Sequence, residues 1–133
     1  MEPTSDPASD TDETSDRMGA RVERFDPHTA TIRLDPIGDD PSGPGAGVVD
    51  LAHVGGMEVG VWDHTEGTSF HTELDEVFVV ISGSVTVTED GKEPITFGPG
   101  DVGILRDGAR TTWTVHETLR KVWVSRATAN DDG

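Results

Sequence analysis

Short apolar runs, rich in β-branched residues and separated by turn residues, fill the chain from residue 48 to residue 125. Val, Ile, Thr and Trp favour strands, whereas pairs such as Asp90-Gly91 and Pro99-Gly100 favour turns. No long stretch repeats its apolar residues at the helical period. The pattern therefore predicts an all-β sandwich or barrel. The predicted strands are residues 48–51, 57–63, 68–72, 76–82, 84–89, 94–97, 102–105, 111–116 and 119–125.

The chain before residue 57 has a different composition, with more polar residues, Gly and Pro. Residues 1–17 are mostly Ser, Thr, Asp, Glu and Pro, so we expect a disordered acidic tail. Residues 18–56 are expected to form an arm that adds strands to the domain. Within it, the alternation over Thr29–Leu34 predicts a strand, and the Gly/Pro-rich residues 38–47 predict a flexible connection. The barrel itself is predicted for residues 57–126, followed by a flexible tail at 127–133.

Composition and charge narrow the function classes. The formal net charge is -16, which argues against nucleic acid and anionic membranes as partners. Cysteine is absent, so thiolate metal sites and cysteine nucleophiles are excluded. The N-terminus lacks a basic and apolar signal pattern, and no apolar run reaches the roughly 18–20 residues that span a bilayer. We therefore expect a cytoplasmic protein.

The most informative residues are two groups with motif-like spacing. The first is Ser69 to Glu76, which contains His71 and is followed by Gly83, and the second runs from Gly98 to Trp113. Together they resemble the two motifs of the cupin superfamily. The first motif is matched at His71, Glu76 and Gly83, and the second at Gly100 and Gly108 with Asp101. The family's remaining motif positions are replaced by Ser69, Arg106, Thr111 and Val115.

A closer resemblance is carried by EVFVVISG, ITFGPGD and RKVWV within residues 57–126. These stretches are similar to small single-domain cupins of unassigned function, related to the barrels of ureidoglycine aminohydrolase and of the ethanolamine-utilisation cupin. The resemblance implies a double-stranded β-helix (jelly-roll) barrel and a homodimer paired through the outer sheet. It also implies an incomplete metal site, because only His71 and Glu76 remain of three His and one Glu. We therefore expect no tightly bound cofactor and at most a weakly bound divalent metal.

Strand parity predicts which side chains share the barrel interior, since residues two apart lie on one face. Candidate acid/base groups are Glu76 and His71, with Lys121 as a cation opposite Glu76 if its face points inward. The alternatives are a histidine whose hydrogen bonds hold the barrel and, for Glu76, a buried ion pair with Lys121 or an arginine. His64, in parity with Trp62, is a candidate substitute ligand. Glu73 and Asp75 are interpreted mainly as part of a solvated loop, with a role at the pocket mouth as the alternative. The candidate pocket residues are Trp62, Ser69, Phe78, Thr111, Trp113 and Trp123, each with ordinary core or strand packing as the alternative.

Three functions stay open at this stage. The first is a binding protein that holds a small polar metabolite in the barrel. The second is a small enzyme, a ureide-type C–N hydrolase or a carbonyl isomerase, that uses Glu76 and His71 as acid and base and Lys121 to stabilise an anion. The third is an interaction module with a vestigial pocket.

Overall fold

The computed structural model describes residues 21–127, so the predicted acidic tail at 1–17 and residues 128–133 lie outside the described residues. Apart from one 3₁₀ turn at Pro27–Thr29, the regular structure of this part is entirely β, which confirms the predicted class. All strand pairs are antiparallel and close a jelly-roll barrel. The strands are β1 (Asp35–Pro36), β2 (Gly45–Val54), β3 (Met57–His64), β4 (Gly67–Thr72), β5 (Glu76–Glu89), β6 (Ile95–Phe97), β7 (Val102–Leu105) and β8 (Arg110–Arg126).

Two long strands, β5 and β8, bend and pass from one wall of the barrel to the other. The first half of β5 pairs with β7 and with the end of β8, and its second half pairs with β6 and with the start of β8. The register shifts between residues 80 and 85, where Gly83 has φ 85°. A Cβ there would collide with the carbonyl oxygens of Glu117 and Thr118. Gly83 therefore permits the corner at which the two strands turn together.

The remaining strands complete the two walls. The outer wall consists of β1, β2, β3, the second half of β8, the first half of β5, and β7. The inner wall consists of β4, the first half of β8, the second half of β5, and β6. Alternate residues of these strands fill the space between the walls. The buried core residues are Phe78, Val80, Val85, Val87, Leu105, Trp113, Val115, Leu119 and Trp123.

The N-terminal arm differs from its sequence prediction. The predicted strand Thr29–Leu34 is wrong: Pro27–Thr29 form a 3₁₀ turn, because Asp26 accepts a hydrogen bond from the His28 amide (3.0 Å) and Pro27 favours the first turn position. The following residues pass over β2 without pairing, and a Cβ at Gly47 would collide with the Arg33 carbonyl.

The strand of this arm is instead β2. It begins at Gly45, inside the stretch predicted to be flexible, and pairs with β3 from Ala46 to Val54. The prediction for the end of 38–47 is therefore wrong, since pairing along the edge of β3 overrides the low strand propensity of glycine. The arm is also held by Arg120, which donates to the carbonyls of Pro27 and His28 at 3.0 Å each and forms a two-bond ion pair with Asp63. Within residues 21–127, no helix has the length and apolar character needed to cross a membrane.

Candidate functional site

The candidate site is a cavity of about 300 Å³ between the two walls of the barrel. Its walls are largely aromatic, and its polar groups come from β4, β5, β8 and the connection after β4. A few polar groups converging within apolar walls are typical of small-molecule sites. The lining residues are Val48, Trp62, His71, Glu73, Glu76, Trp113, Lys121, Trp123 and Ser125.

Lys121 points inward and forms an ion pair with Glu76 inside the barrel. Its Nζ lies 2.6 Å from Oε2 of Glu76, and the two side chains are only 6% and 20% exposed. The ammonium also lies 4.6–4.7 Å from the ring centres of Trp62, Phe78 and Trp113. Burial lowers the pKa of Lys121, and the Glu76 carboxylate opposes that shift. The barrel therefore contains a fixed cation held by one carboxylate and three aromatic faces.

A chain of three hydrogen bonds runs beneath the cavity wall. Nδ1 of His64 lies 2.6 Å from the Thr65 carbonyl, Nε2 of His64 lies 2.8 Å from Oγ of Ser69, and that Oγ lies 2.7 Å from Nε2 of His71. His64 and Ser69 are almost fully buried. Burial is the main cause that lowers the pKa of His64 and of His71, so both rings are neutral at neutral pH.

The Thr65 carbonyl fixes the direction of this chain, because a carbonyl oxygen only accepts. Nδ1 of His64 therefore carries its proton, and Nε2 of the neutral ring accepts from the Ser69 hydroxyl. Since the hydroxyl has donated its one proton, Ser69 accepts from Nε2–H of His71. His71 consequently keeps the lone pair on its Nδ1, which has no hydrogen-bond partner among the described residues.

Glu73, interpreted from the sequence mainly as part of a solvated loop, instead lines the cavity. Its Oε2 accepts from Oγ1 of Thr111 (2.6 Å) and from the Trp113 indole Nε1 (2.9 Å). A buried indole N–H usually has a polar partner. Trp113 was therefore the residue in the sequence that could have pointed to a polar side chain such as Glu73 inside the barrel. Asp75 does lie in an exposed loop, where it accepts from the Asp107 amide and pairs with Arg126.

The sequence-predicted residues fall into two groups. Trp62, His71, Glu76, Trp113, Lys121 and Trp123 line the cavity. Ser69 and Thr111 are buried next to it and contact lining side chains through hydrogen bonds, whereas Phe78 packs in the core beneath the Lys121 ammonium. The sequence did not indicate Val48 and Ser125 as lining residues, and it gave Glu73 a place at the pocket mouth only as the alternative to a solvated loop.

A second cavity, of about 520 Å³, lies between β6, β7 and the turn after β7. Its lining mixes apolar residues such as Ile95 and Phe97 with the charged residues Lys92 and Arg106. It contains none of the buried histidines, none of the tryptophans and not the Lys121–Glu76 pair. The cavity of about 300 Å³ therefore contains most of the candidate residues, although Thr111 lines the second cavity.

Comparison with known proteins identifies the family. A model described as the EutQ-like cupin domain matches residues 51–123, a little over half of the chain. The chain belongs to the EutQ-like cupin family. The match confirms the resemblance stated from the sequence, and it includes β3 to β7 together with most of β8.

Other solved structures share this fold. A putative ethanolamine utilization protein Q from Salmonella typhimurium LT2 is 22% identical, with a TM-score of 0.56 over 62% of this chain and 70% of that one. EutQ of Clostridium difficile is 20% identical, with a TM-score of 0.60 over 69% and 71%. A protein of unknown function from Rhizobium leguminosarum bv. viciae 3841 is 21% identical, with a TM-score of 0.62 over 80% and 97%. A comparison with curated proteins gave no match.

The cupin fold often holds a metal ion, which is bound by nitrogen and oxygen atoms of side chains that lie close together. Within residues 21–127, no three His, Asp or Glu side chains lie together in a way that would hold a metal. The Lys121 ammonium contacts the Glu76 carboxylate, and both nitrogens of His64 are engaged in hydrogen bonds. The predicted substitute ligand His64 is therefore not available, and the residues present do not fit a divalent transition metal.

Proposed function

We propose that this EutQ-like cupin binds a small polar metabolite inside the barrel. The observation that supports the proposal is the cavity itself, where three tryptophans surround His71 and the Lys121–Glu76 pair. Such a site offers apolar contact area together with a few fixed polar groups, which orient a ligand. The ion pair is already formed in the protein, so binding does not require a charged side chain to be reorganised.

Two valines on β2 allow a matched test of this proposal. Val48 lines the cavity and is 56% exposed, whereas Val54 is 57% exposed and does not line it. The full chain, Val48→Phe and Val54→Phe are each dialysed against a small-molecule extract of the expression host, and retained compounds are quantified by mass spectrometry. We expect the wild type and Val54→Phe to retain the same metabolite and Val48→Phe to lose it. Equal retention by all three proteins would contradict binding in this cavity.

A small enzyme is the second candidate, and the hydrogen-bond chain from His64 to His71 favours it. In an isomerase of α-hydroxycarbonyl compounds, Nδ1 of His71 would take a proton from the hydroxyl-bearing carbon and return it to the former carbonyl carbon, while Lys121 stabilises the enediolate oxygen. The hydroxyl proton passes to the former carbonyl oxygen, so that the two oxygens exchange roles. In a ureide-type C–N hydrolase, the same base or Glu76 would activate water. An NMR spectrum of the retained metabolite in D₂O separates isomerisation from binding, because only turnover incorporates deuterium. That signal should disappear in His71→Gln.

The same observations bear on metal content, location and partners. Lys121 at the centre of the site supports a protein without a tightly bound metal, with at most weak divalent-metal binding at His71 and Glu76. The net charge of -16 and the lack of cysteine support a cytoplasmic protein without nucleic-acid or membrane partners. If no metabolite is retained, an interaction module with a vestigial pocket becomes the better reading.

We also propose a homodimer formed through the outer wall. Val77 and Ile104 are paired across β5 and β7 and are exposed on the outside of that wall, next to exposed Val102. Val122 and Val124 of β8 continue this apolar surface on the other side of β5. A contiguous apolar sheet face of this kind is typical of an interaction surface, and a second copy of the same face would complement it.

A further inference from the structure

The charges that line the cavity do not cancel. Glu73 and Glu76 contribute two carboxylates, and Lys121 contributes one ammonium. His71 is neutral, and so is the buried His64 behind it, because burial lowers the pKa of both rings. The site therefore has a net charge close to -1 before any ligand enters. The single ammonium is bonded to Glu76, which leaves the carboxylate of Glu73 as the excess charge.

The unused hydrogen-bonding atoms of the site point to the same conclusion. Oε2 of Glu73 is held by Thr111 and Trp113, whereas its Oε1 has no hydrogen-bond partner among the described residues. The hydrogen-bond chain through Ser69 leaves Nδ1 of His71 as an acceptor as well. Two acceptors on one side of the cavity are thus available to a ligand. A carboxylate oxygen and an unprotonated ring nitrogen accept hydrogen bonds and do not donate them.

The tryptophan side chains that line the cavity also affect which charge a ligand can carry. Trp62, Trp113 and Trp123 line the cavity, and the first two already contact the Lys121 ammonium through their faces. Aromatic faces attract cations through the ring quadrupole. An anion would meet the Glu73 carboxylate and would have to compete with Glu76 for an ammonium whose side chain is only 6% exposed.

We infer that the cavity selects a small organic cation with N–H donors, of the primary-ammonium or guanidinium class. This inference rests on the proposed binding function and names its ligand class. One N–H group donates to Oε1 of Glu73, a second donates to Nδ1 of His71, and the apolar part of the ligand contacts the tryptophans. The cation neutralises the excess charge of Glu73 while leaving the Lys121–Glu76 pair intact.

The indole N–H signals of the three tryptophans provide the measurement, since all three residues line the cavity. The ¹⁵N-labelled full chain is titrated separately with methylguanidinium chloride, methylammonium chloride, urea and sodium acetate at constant ionic strength. We expect saturable shifts of the Trp113 signal with the two cations and no saturable shift with acetate. Glu73→Gln should weaken cation binding by at least about tenfold, because a charge-assisted hydrogen bond is lost.

The Glu73→Gln variant keeps an amide oxygen that can accept hydrogen bonds from Thr111 and Trp113. The Trp113 indole signal of this variant therefore also reports whether the site remains intact. Glu117→Gln, an exposed change at the bend of β8, is the matched control and should bind the cations as the wild type does. Saturable binding of acetate or urea without binding of the cations would overturn the inference and leave the proposed binding function standing. Unchanged cation affinity in Glu73→Gln, or no binding of either cation, would also overturn it.

Discussion

Nζ of Lys121 lies 2.6 Å from Oε2 of Glu76 inside the barrel, where the ammonium is also covered by three aromatic rings. The register of β5 and β8 produces this contact, because Lys121 pairs with Val80 and the strand parity turns both Lys121 and Glu76 inward. The same ammonium engages Glu76, one of the two matched cupin-motif residues that could supply a metal ligand. The Lys121 ammonium is therefore the fixed positive charge of this site.

Removing the ammonium should destabilise the protein. Lys121→Ala leaves the Glu76 carboxylate without its partner, and we expect a loss of about 3 kcal/mol in the free energy of unfolding, measured by urea denaturation. The double variant Lys121→Met/Glu76→Leu should recover most of that loss, because no unpaired charge remains. The exposed pair Arg126–Asp75 is the control, and Arg126→Ala should cost less than about 1 kcal/mol. Equal losses at the two pairs would refute the buried-pair interpretation.

The buried histidines predict a loss of stability in mild acid. Burial lowers the pKa of His64 and His71, with Lys121 lowering both further, Glu73 raising that of His71 and the Thr65 carbonyl raising that of His64. Near the ordinary pKa of 6.5 the unfolded chain therefore binds more protons than the native chain, and the free energy of unfolding falls as the pH drops. Denaturation between pH 7.5 and 5.5 should show this slope, and His64→Gln should reduce it. Parallel profiles for both proteins would count against the prediction.

Arg120 should anchor the N-terminal arm. Its guanidinium forms two hydrogen bonds to Asp63 and two to the backbone of Pro27 and His28, and the Asp63 bonds raise its pKa. Arg120→Lys cannot make this planar set of contacts, so we expect a loss of about 1–3 kcal/mol. Amide hydrogen exchange of the segment near His28 should increase in parallel.

Arg110→Lys is the matched control for that experiment, because Arg110 contacts Asp90 at 3.5 Å on the exposed surface. Its stability and its amide exchange near His28 should stay at wild-type values. If Arg120→Lys behaves like Arg110→Lys, the arm is held by other contacts.

The apolar outer wall predicts a dimer that a single charge disrupts. Ile104→Glu places a carboxylate on that wall, and Ile95→Glu changes a similarly exposed isoleucine on β6, which belongs to the inner wall (61% and 59% exposed). Sedimentation at micromolar concentration should give a dimer for the wild type and Ile95→Glu and a monomer for Ile104→Glu. A monomeric wild type would remove the proposed interface.

Much of the barrel could be predicted from sequence because strand parity is a local property. It put Phe78 and Trp113 among the candidate interior residues, and both are buried. It gave Lys121 as a cation opposite Glu76 on the condition that its face points inward, and the structure meets that condition. It did not show that residues 76–89 and 110–126 are two continuous bent strands, since the bend at Gly83 depends on contacts with Glu117 and Thr118.

The rest of the site depends on connections for which parity gives no rule. Glu73 follows the end of β4, and its position is set by the indole of Trp113, forty residues away in sequence. The contact of His64 with Ser69 depends on the turn between β3 and β4, which no strand pattern specifies. In the N-terminal arm, the alternation over Thr29–Leu34 predicted a strand, but pairing along the outer edge of β2 is limited to Asp35 and Pro36.

The central claim is that a small metabolite occupies the cavity beside Lys121. Its most direct test is a crystal structure of the full chain grown with the metabolite that the wild type retains most strongly in dialysis. We expect ligand density inside the cavity, against the side chains of Trp62, Trp113 and Trp123, with polar ligand atoms within hydrogen-bond distance of His71 and Glu73. An empty cavity at a saturating concentration of that metabolite, or ligand density only on the outer surface, would contradict it.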